Sequence, residues 1–151
     1  MDNGASERVI HKNRTIEARR HVVWEKWTTH DGLKTFIGAD NKIELTPGGP
    51  FEIYFLMDAP KGAQGGEGNK VLSFLPNEML SFSWNAPPSI PAIRNQKHRT
   101  WVVIQLIALN GTTTKITLDH LGWKKGKKWD ETYEYFDQAW DFVLDSLENS
   151  I

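Results

Sequence analysis

Between positions 129 and 147 the chain places Trp129, Tyr133, Phe136, Trp140, Val143, Leu144 and Leu147 at steps of three and four residues. A helix gathers these side chains into one apolar stripe, and a strand would scatter them over two faces. The spacing predicts a long helix over residues 128–149. Asp130 and Glu131 sit in its first turn, where the helix dipole favours acids. Such a stripe needs an apolar surface of matching length to cover it.

The preceding chain supplies that surface as strands. Residues 8–16 read as a first strand. Residues 20–28 follow with Val23, Trp24 and Trp27 at helical spacing, then a break with a possible N-cap at Thr28, Thr29 and Asp31, then a short helix over 32–37 ended by Gly38. Strands are predicted over 42–46, 51–57, 71–75, 80–84, 100–109 and 113–121. Pro47-Gly48-Gly49-Pro50 marks a turn. Asn110-Gly111 marks a hairpin, read as a type I′ turn with positive φ at both positions. Residues 58–68 are Gly-rich, and 85–98 form a long loop with Pro87, Pro88 and Pro91. Loops of that length in compact domains are often functional. The reading is a single α+β domain over 1–151, with residues 1–7 as a flexible tail.

Composition narrows the function classes. The 18 basic and 19 acidic residues leave a formal net charge of -1, which gives nucleic acid no basic footprint to meet. There are no cysteines, so disulfides, thiolate catalysis and cysteine zinc sites are excluded. No paired histidines stand at metal spacing, and no cofactor or metal is expected. The Gly-rich 62–68 stretch joins two antiparallel strands with no helix behind it, so it is not a phosphate loop. No apolar run reaches membrane-span length, and a cytoplasmic location is the default expectation.

The order and spacing of several motifs resemble the SRPBCC (START/birch-pollen-allergen-like) superfamily, closest to the group named after the activator of the heat-shock-protein ATPase. The marks are Val23-Trp24, Thr29, Gly48-Gly49 before Phe51, Val71, Phe74 and Pro76. Leu80, Phe82 and Trp84 follow, then residues 114–120 with Gly122, and Trp140 before Leu144 and Leu147. Departures are Phe36 where the family often has Trp, and Ala18-Arg19 in place of a Ser-Pro entry. The resemblance implies a helix-grip fold, in which a curved antiparallel sheet of six to seven strands wraps the C-terminal helix around a cavity. Members bind lipids, sterols or polyketides, catalyse cyclisation, or assist a chaperone. The two-domain chaperone activator carries a further N-terminal domain, so its stimulation of a chaperone is not carried over.

Candidate residues follow from alternation within that fold. Phe51, Ile53, Phe55, Phe82, Trp84, Trp101, Leu118, Tyr133, Phe136 and Trp140 are expected to face the interior, lining a pocket or filling a core. Each ring buries about 150–250 Å², enough for this set nearly to close the space. His120 shares a face with Ile116 and Leu118, and is either a general acid/base or a satisfied core histidine. Adjacent Asp119 points to the opposite face. Gln105 faces inward if Val103 and Ile107 do, and outward in the other register. The basic run at 124–128 is either an anion lure or a solvated loop, and His98 is a lone, exposed histidine. The expected partner is a small apolar or amphipathic molecule. A polyketide cyclase or dehydratase using His120 and a chaperone-associated interaction module are the alternatives, in a monomer or homodimer.

Overall fold

The structure, a computed structural model, describes residues 4–151. Its elements run β1 (Ile10–Ile16), α1 (Arg20–Thr28), α2 (His30–Lys34), β2 (Asp40–Ile43), β3 (Phe51–Tyr54), β4 (Val71–Leu75), β5 (Met79–Trp84), α3 (Pro91–Arg94), β6 (Thr100–Asn110), β7 (Thr113–Leu121) and α4 (Lys127–Asn149). An antiparallel sheet in the order β1-β7-β6-β5-β4 carries the fold, and the β2-β3 hairpin forms a second, smaller sheet. Backbone bonds from Gly48 N to Val71 O and from Phe51 N to Asn69 O, both 2.8 Å, tie that hairpin to the start of β4. Helix α4 lies in the concave face, giving the expected helix-grip arrangement. Among the described residues, no helix is long and apolar enough to cross a membrane.

Cross-strand pairing decides what faces α4. Phe82 pairs with Val102, Val102 with His120, and His120 with Ile10, making one inward row. Leu80, Ile104 and Leu118 make the next. Opposite residues in an antiparallel pair share a face, so Val102, Ile104 and Leu106 are buried. The intervening Trp101, Val103, Gln105 and Ile107 therefore turn outward. Trp101 lies against Gly122, where a Cβ would collide with its ring and where φ is +91°. Gln105 is exposed, and its amide oxygen accepts from the Thr117 hydroxyl at 3.4 Å. The inward expectation for Trp101 and Gln105 is thus corrected: β6 is apolar on both faces, and the partners on β5 and β7 settle its register.

Helix α4 is fastened along one flank only. On the edge strand β1 the inward positions Lys12 and Arg14 meet its acids instead of its stripe. Lys12 Nζ lies 3.0 Å from both Asp137 and Asp141, and Arg14 reaches Asp141, Asp145 and Glu148 at 3.2, 3.4 and 3.5 Å. Arg8 adds Asp130 at 3.0 Å. Burial works to lower the Lys12 pKa, but the hydrogen bonds and charges of Asp137 and Asp141 raise it overall.

Other expectations shift locally. The strand expected over 51–57 stops at Tyr54, because the N–H groups of Phe55 and Leu56 both turn to the carbonyl of Gln64, at 2.8 and 2.9 Å. The Asn110-Gly111 hairpin forms, but neither residue has positive φ. Asn110 closes β6, and its side-chain oxygen accepts from Thr112 N at 2.8 Å, an Asx-type turn in place of type I′. The short helix starts at His30, with the Thr29 hydroxyl accepting from Gly32 N as its N-cap. Of the expected tail, residues 1–3 lie outside the described residues. The next residues are pinned, with Ser6 N donating to Trp123 O at 2.8 Å and Ala5 bridged to Lys124.

Candidate functional site

His120 sits at the centre of the grip with no exposed surface. The Trp140 indole N–H donates to its Nδ1 at 2.9 Å, so that nitrogen must be unprotonated. Nε2–H then donates to the Thr100 hydroxyl at 2.7 Å, and that hydroxyl donates onward to the Trp84 carbonyl at 3.1 Å. Donors and acceptors along this chain leave no place for a second ring proton. Rings of Trp123, Phe136 and Trp140 surround the imidazole at 4.4, 5.2 and 5.9 Å. Burial pushes its pKa down to about 3. Asp119 faces outward and meets His11 at 2.6 Å. His120 is a satisfied core histidine that fixes the indole and hydroxyl around it. Among the described residues it has no carboxylate partner, and none of its surface is exposed for passing a proton.

Much of the predicted interior is filled. Phe51 stacks on Phe82 at 4.1 Å, and Trp27 packs against Phe82 and Phe36. Ile53 and Leu118 are fully buried. Tyr133 lies on the zipped flank of α4, with the Arg8 guanidinium 4.5 Å over its ring.

The free space lies beside the helix, on the flank that carries no ion pairs. There a groove of about 530 Å³ runs between α4 and two loops. The helix gives Tyr135, Phe136, Gln138, Ala139, Trp140, Phe142 and Val143; Phe55, Leu56, Gly65 and Gly66 form one wall; Trp84 and residues 85–89 form the other, with Ile37 beside them. Among the described residues, no charged residue and no histidine lines it. Its lips are apolar yet open to solvent, with Phe142 73% exposed, Leu56 52% and Phe55 42%. Volume and lining are those of a small-molecule site.

The two loop walls are stapled to each other. Arg94, on α3, donates to the carbonyls of Gly62, Gly65 and Ala86, each at 2.7 Å, and to Glu67 at 3.1 Å. Glu67 in turn accepts the N–H groups of Gly62, Gln64 and Gly65. Burial works to raise the Glu67 carboxyl, but these backbone donors hold it below its usual range. A Gly-rich loop and a proline-rich loop thereby become one rigid side of the groove, facing a helix flank that is not bonded to them.

The family match, to Activator of Hsp90 ATPase homolog 1-like protein, covers residues 17–151. The chain belongs to that family. Among solved structures, a protein from Mesorhizobium loti is similar at TM-score 0.74 and 20% identity, covering 95% of this chain and 96% of that one. An HSP90 activator from Plasmodium falciparum is similar at TM-score 0.71 and 16% identity, with 93% of each chain covered. The Aha1 dimer from Colwellia psychrerythraea is similar at TM-score 0.68 and 20% identity, with 95% of each covered. At these identities the likeness is one of fold. By sequence, no curated protein matches the chain.

Within this family fold, the groove brings together Phe55, Trp84, Phe136 and Trp140 of the residues anticipated from sequence. Phe51, Ile53, Phe82 and Leu118 belong to the filled core, Tyr133 to the zipped flank, and Trp101 and Gln105 to the outer face. Tyr135, Ala139 and Phe142 were missed because they lie off the main stripe. Phe142 and Tyr135 carry the signal that was available: large apolar side chains on an otherwise polar flank. His98 is half-buried and not free, bonded to the Gly122 carbonyl at 2.6 Å. In the basic run, Lys128 pairs with Glu131 at 3.1 Å, away from the groove.

Proposed function

We propose that the protein binds a small apolar or amphipathic molecule in the groove beside α4. The supporting observation is the groove itself: about 530 Å³, without a charged lining residue among the described residues, and open between Phe55, Leu56 and Phe142. Exposed apolar surface gathered at the mouth of a concave site gains by being covered. Trp84 and Trp140, with ring centroids 5.5 Å apart and planes tilted by 43°, offer an aromatic floor. The cyclase or dehydratase alternative loses its proton carrier, since His120 is sealed and held neutral. A cytoplasmic setting belongs to the proposal and fits a chain without cysteine.

A second reading as a protein-interaction module draws on Phe142, which projects further than a pocket wall requires, and on the likeness to an HSP90 activator. Native mass spectrometry of the purified protein, with and without Ala139→Trp, separates the two. A bound small molecule lost on filling the groove supports the first. An empty protein over a broad lipid screen, with partner capture unaffected by Ala139→Trp, supports the second and rejects the first.

A further inference from the structure

We infer that the molecule held in the groove carries no negative charge and presents a neutral hydroxyl or carbonyl group at the mouth. The inference rests on the proposed binding function and narrows it to a class of ligand.

The polar side chains of the lining are Asn85, Ser89, Tyr135 and Gln138, besides the indole N–H groups of Trp84 and Trp140, the latter given to His120. Asn85 is committed within the wall: its oxygen accepts from Asn69 at 3.2 Å and its amide donates to the Glu67 carbonyl at 3.4 Å. The side-chain polar groups of Ser89, Tyr135 and Gln138 make no hydrogen bond among the described residues, and all three residues are exposed at the rim. Each is neutral and offers both a donor and an acceptor. They suit an uncharged polar end placed where the groove meets water.

Among the described residues, no cation lines the groove to meet an anionic end. Arg94, the guanidinium within the wall, already serves three carbonyls and Glu67. Helix α4, which forms one side of the mouth, holds seven acids between Asp130 and Glu148 against Lys127 and Lys128 at its start. Arg8, Lys12, Arg14 and Lys128 pair with six of the seven. The seventh, Glu134, has no ion pair among the described residues and stands one turn before Gln138, within side-chain reach on the helix surface. A carboxylate at this mouth meets like charge. Drawn into the groove it finds no cation in the lining and its charged form is disfavoured by burial.

The test compares two probes of equal chain length, 1-dodecanol and dodecanoate, titrated at a pH well above carboxylate pKa values. A saturable change in tryptophan emission reports binding, Trp84 and Trp140 being the indoles that line the groove. The alcohol is expected to bind at least about tenfold more tightly than the carboxylate. Gln138→Lys puts an ammonium on the exposed rim without touching the core, and is expected to bring the carboxylate to within about threefold of the alcohol. Equal binding of the two by the unmodified protein overturns the inference while leaving the groove as a binding site. So does an unchanged ratio in Gln138→Lys, since the polar end would then lie elsewhere. Binding of neither probe overturns the groove reading and the inference with it.

Discussion

Acidification should weaken this fold through one residue, and the size of the effect follows from its environment. In the unfolded chain a histidine titrates near the usual value of about 6.5. In the folded protein His120 is held to about 3 by burial, and Trp140 N–H already occupies the lone pair a proton would need. Between those values the unfolded state binds the extra proton and the folded state does not. Stability therefore falls as pH drops below the unfolded pKa, and keeps falling until the folded pKa is reached. At about 1.4 kcal/mol per pH unit, the loss between roughly pH 7.5 and pH 5 is on the order of 2 kcal/mol. Urea unfolding across that range measures it, with His120→Gln as the reference. The variant is less stable at every pH, by about 1–3 kcal/mol for the disrupted chain of hydrogen bonds, but lacks this slope. Paired histidine groups such as His30, raised mainly by its hydrogen bond to Asp40, titrate in both proteins and cancel in the difference. Parallel pH profiles for the two proteins would refute the sealed, neutral His120.

Three further expectations follow. Lys12→Met removes the cation shared by Asp137 and Asp141 and should cost about 1 kcal/mol in urea unfolding, less at high salt. Glu67→Gln replaces one of the two oxygens that accept the Gly62, Gln64 and Gly65 N–H groups with an NH2 donor and removes the charge facing Arg94; a loss of about 1–3 kcal/mol is expected, with hydrogen exchange speeding in residues 62–65. Gly122→Ala places a Cβ at positive φ against the Trp101 ring, and should destabilise by about 1–3 kcal/mol while altering the near-ultraviolet circular dichroism of that indole.

The grip was legible in the sequence because period and alternation are strong, local signals. The stripe from Trp129 to Leu147 and the alternation of Leu80, Phe82 and Trp84 each survive inspection of a single segment. What escaped depends on partners. On β6 both faces are apolar, so only pairing with Phe82 and His120 decides that Val102 points in and Gln105 out. The aromatic set could line a pocket or fill a core, and it does both: Phe51 and Phe82 stack, whereas Trp84 and Trp140 border the groove. The groove's position was illegible for a further reason. It arises from asymmetry, with Lys12 and Arg14 drawing one flank of α4 to β1, and Arg94 and Glu67 holding the opposite loops to each other. Those ion pairs join residues far apart in the chain, and charge alternation on a helix surface ordinarily signals only a solvated face.

The central claim is that a small molecule occupies the flank of α4, not the sealed centre and not the outer sheet. An amide-resolved NMR titration of the isotopically labelled protein with 1-dodecanol tests it most directly. Saturable shifts are expected at the Gly65 and Gly66 amides, at Ala139 and Phe142, and at the Trp84 and Trp140 indoles, with Trp101 and Gln105 unmoved. Shifts confined to Trp101, Gln105 and Ile107, or no saturable shift at all, would contradict it.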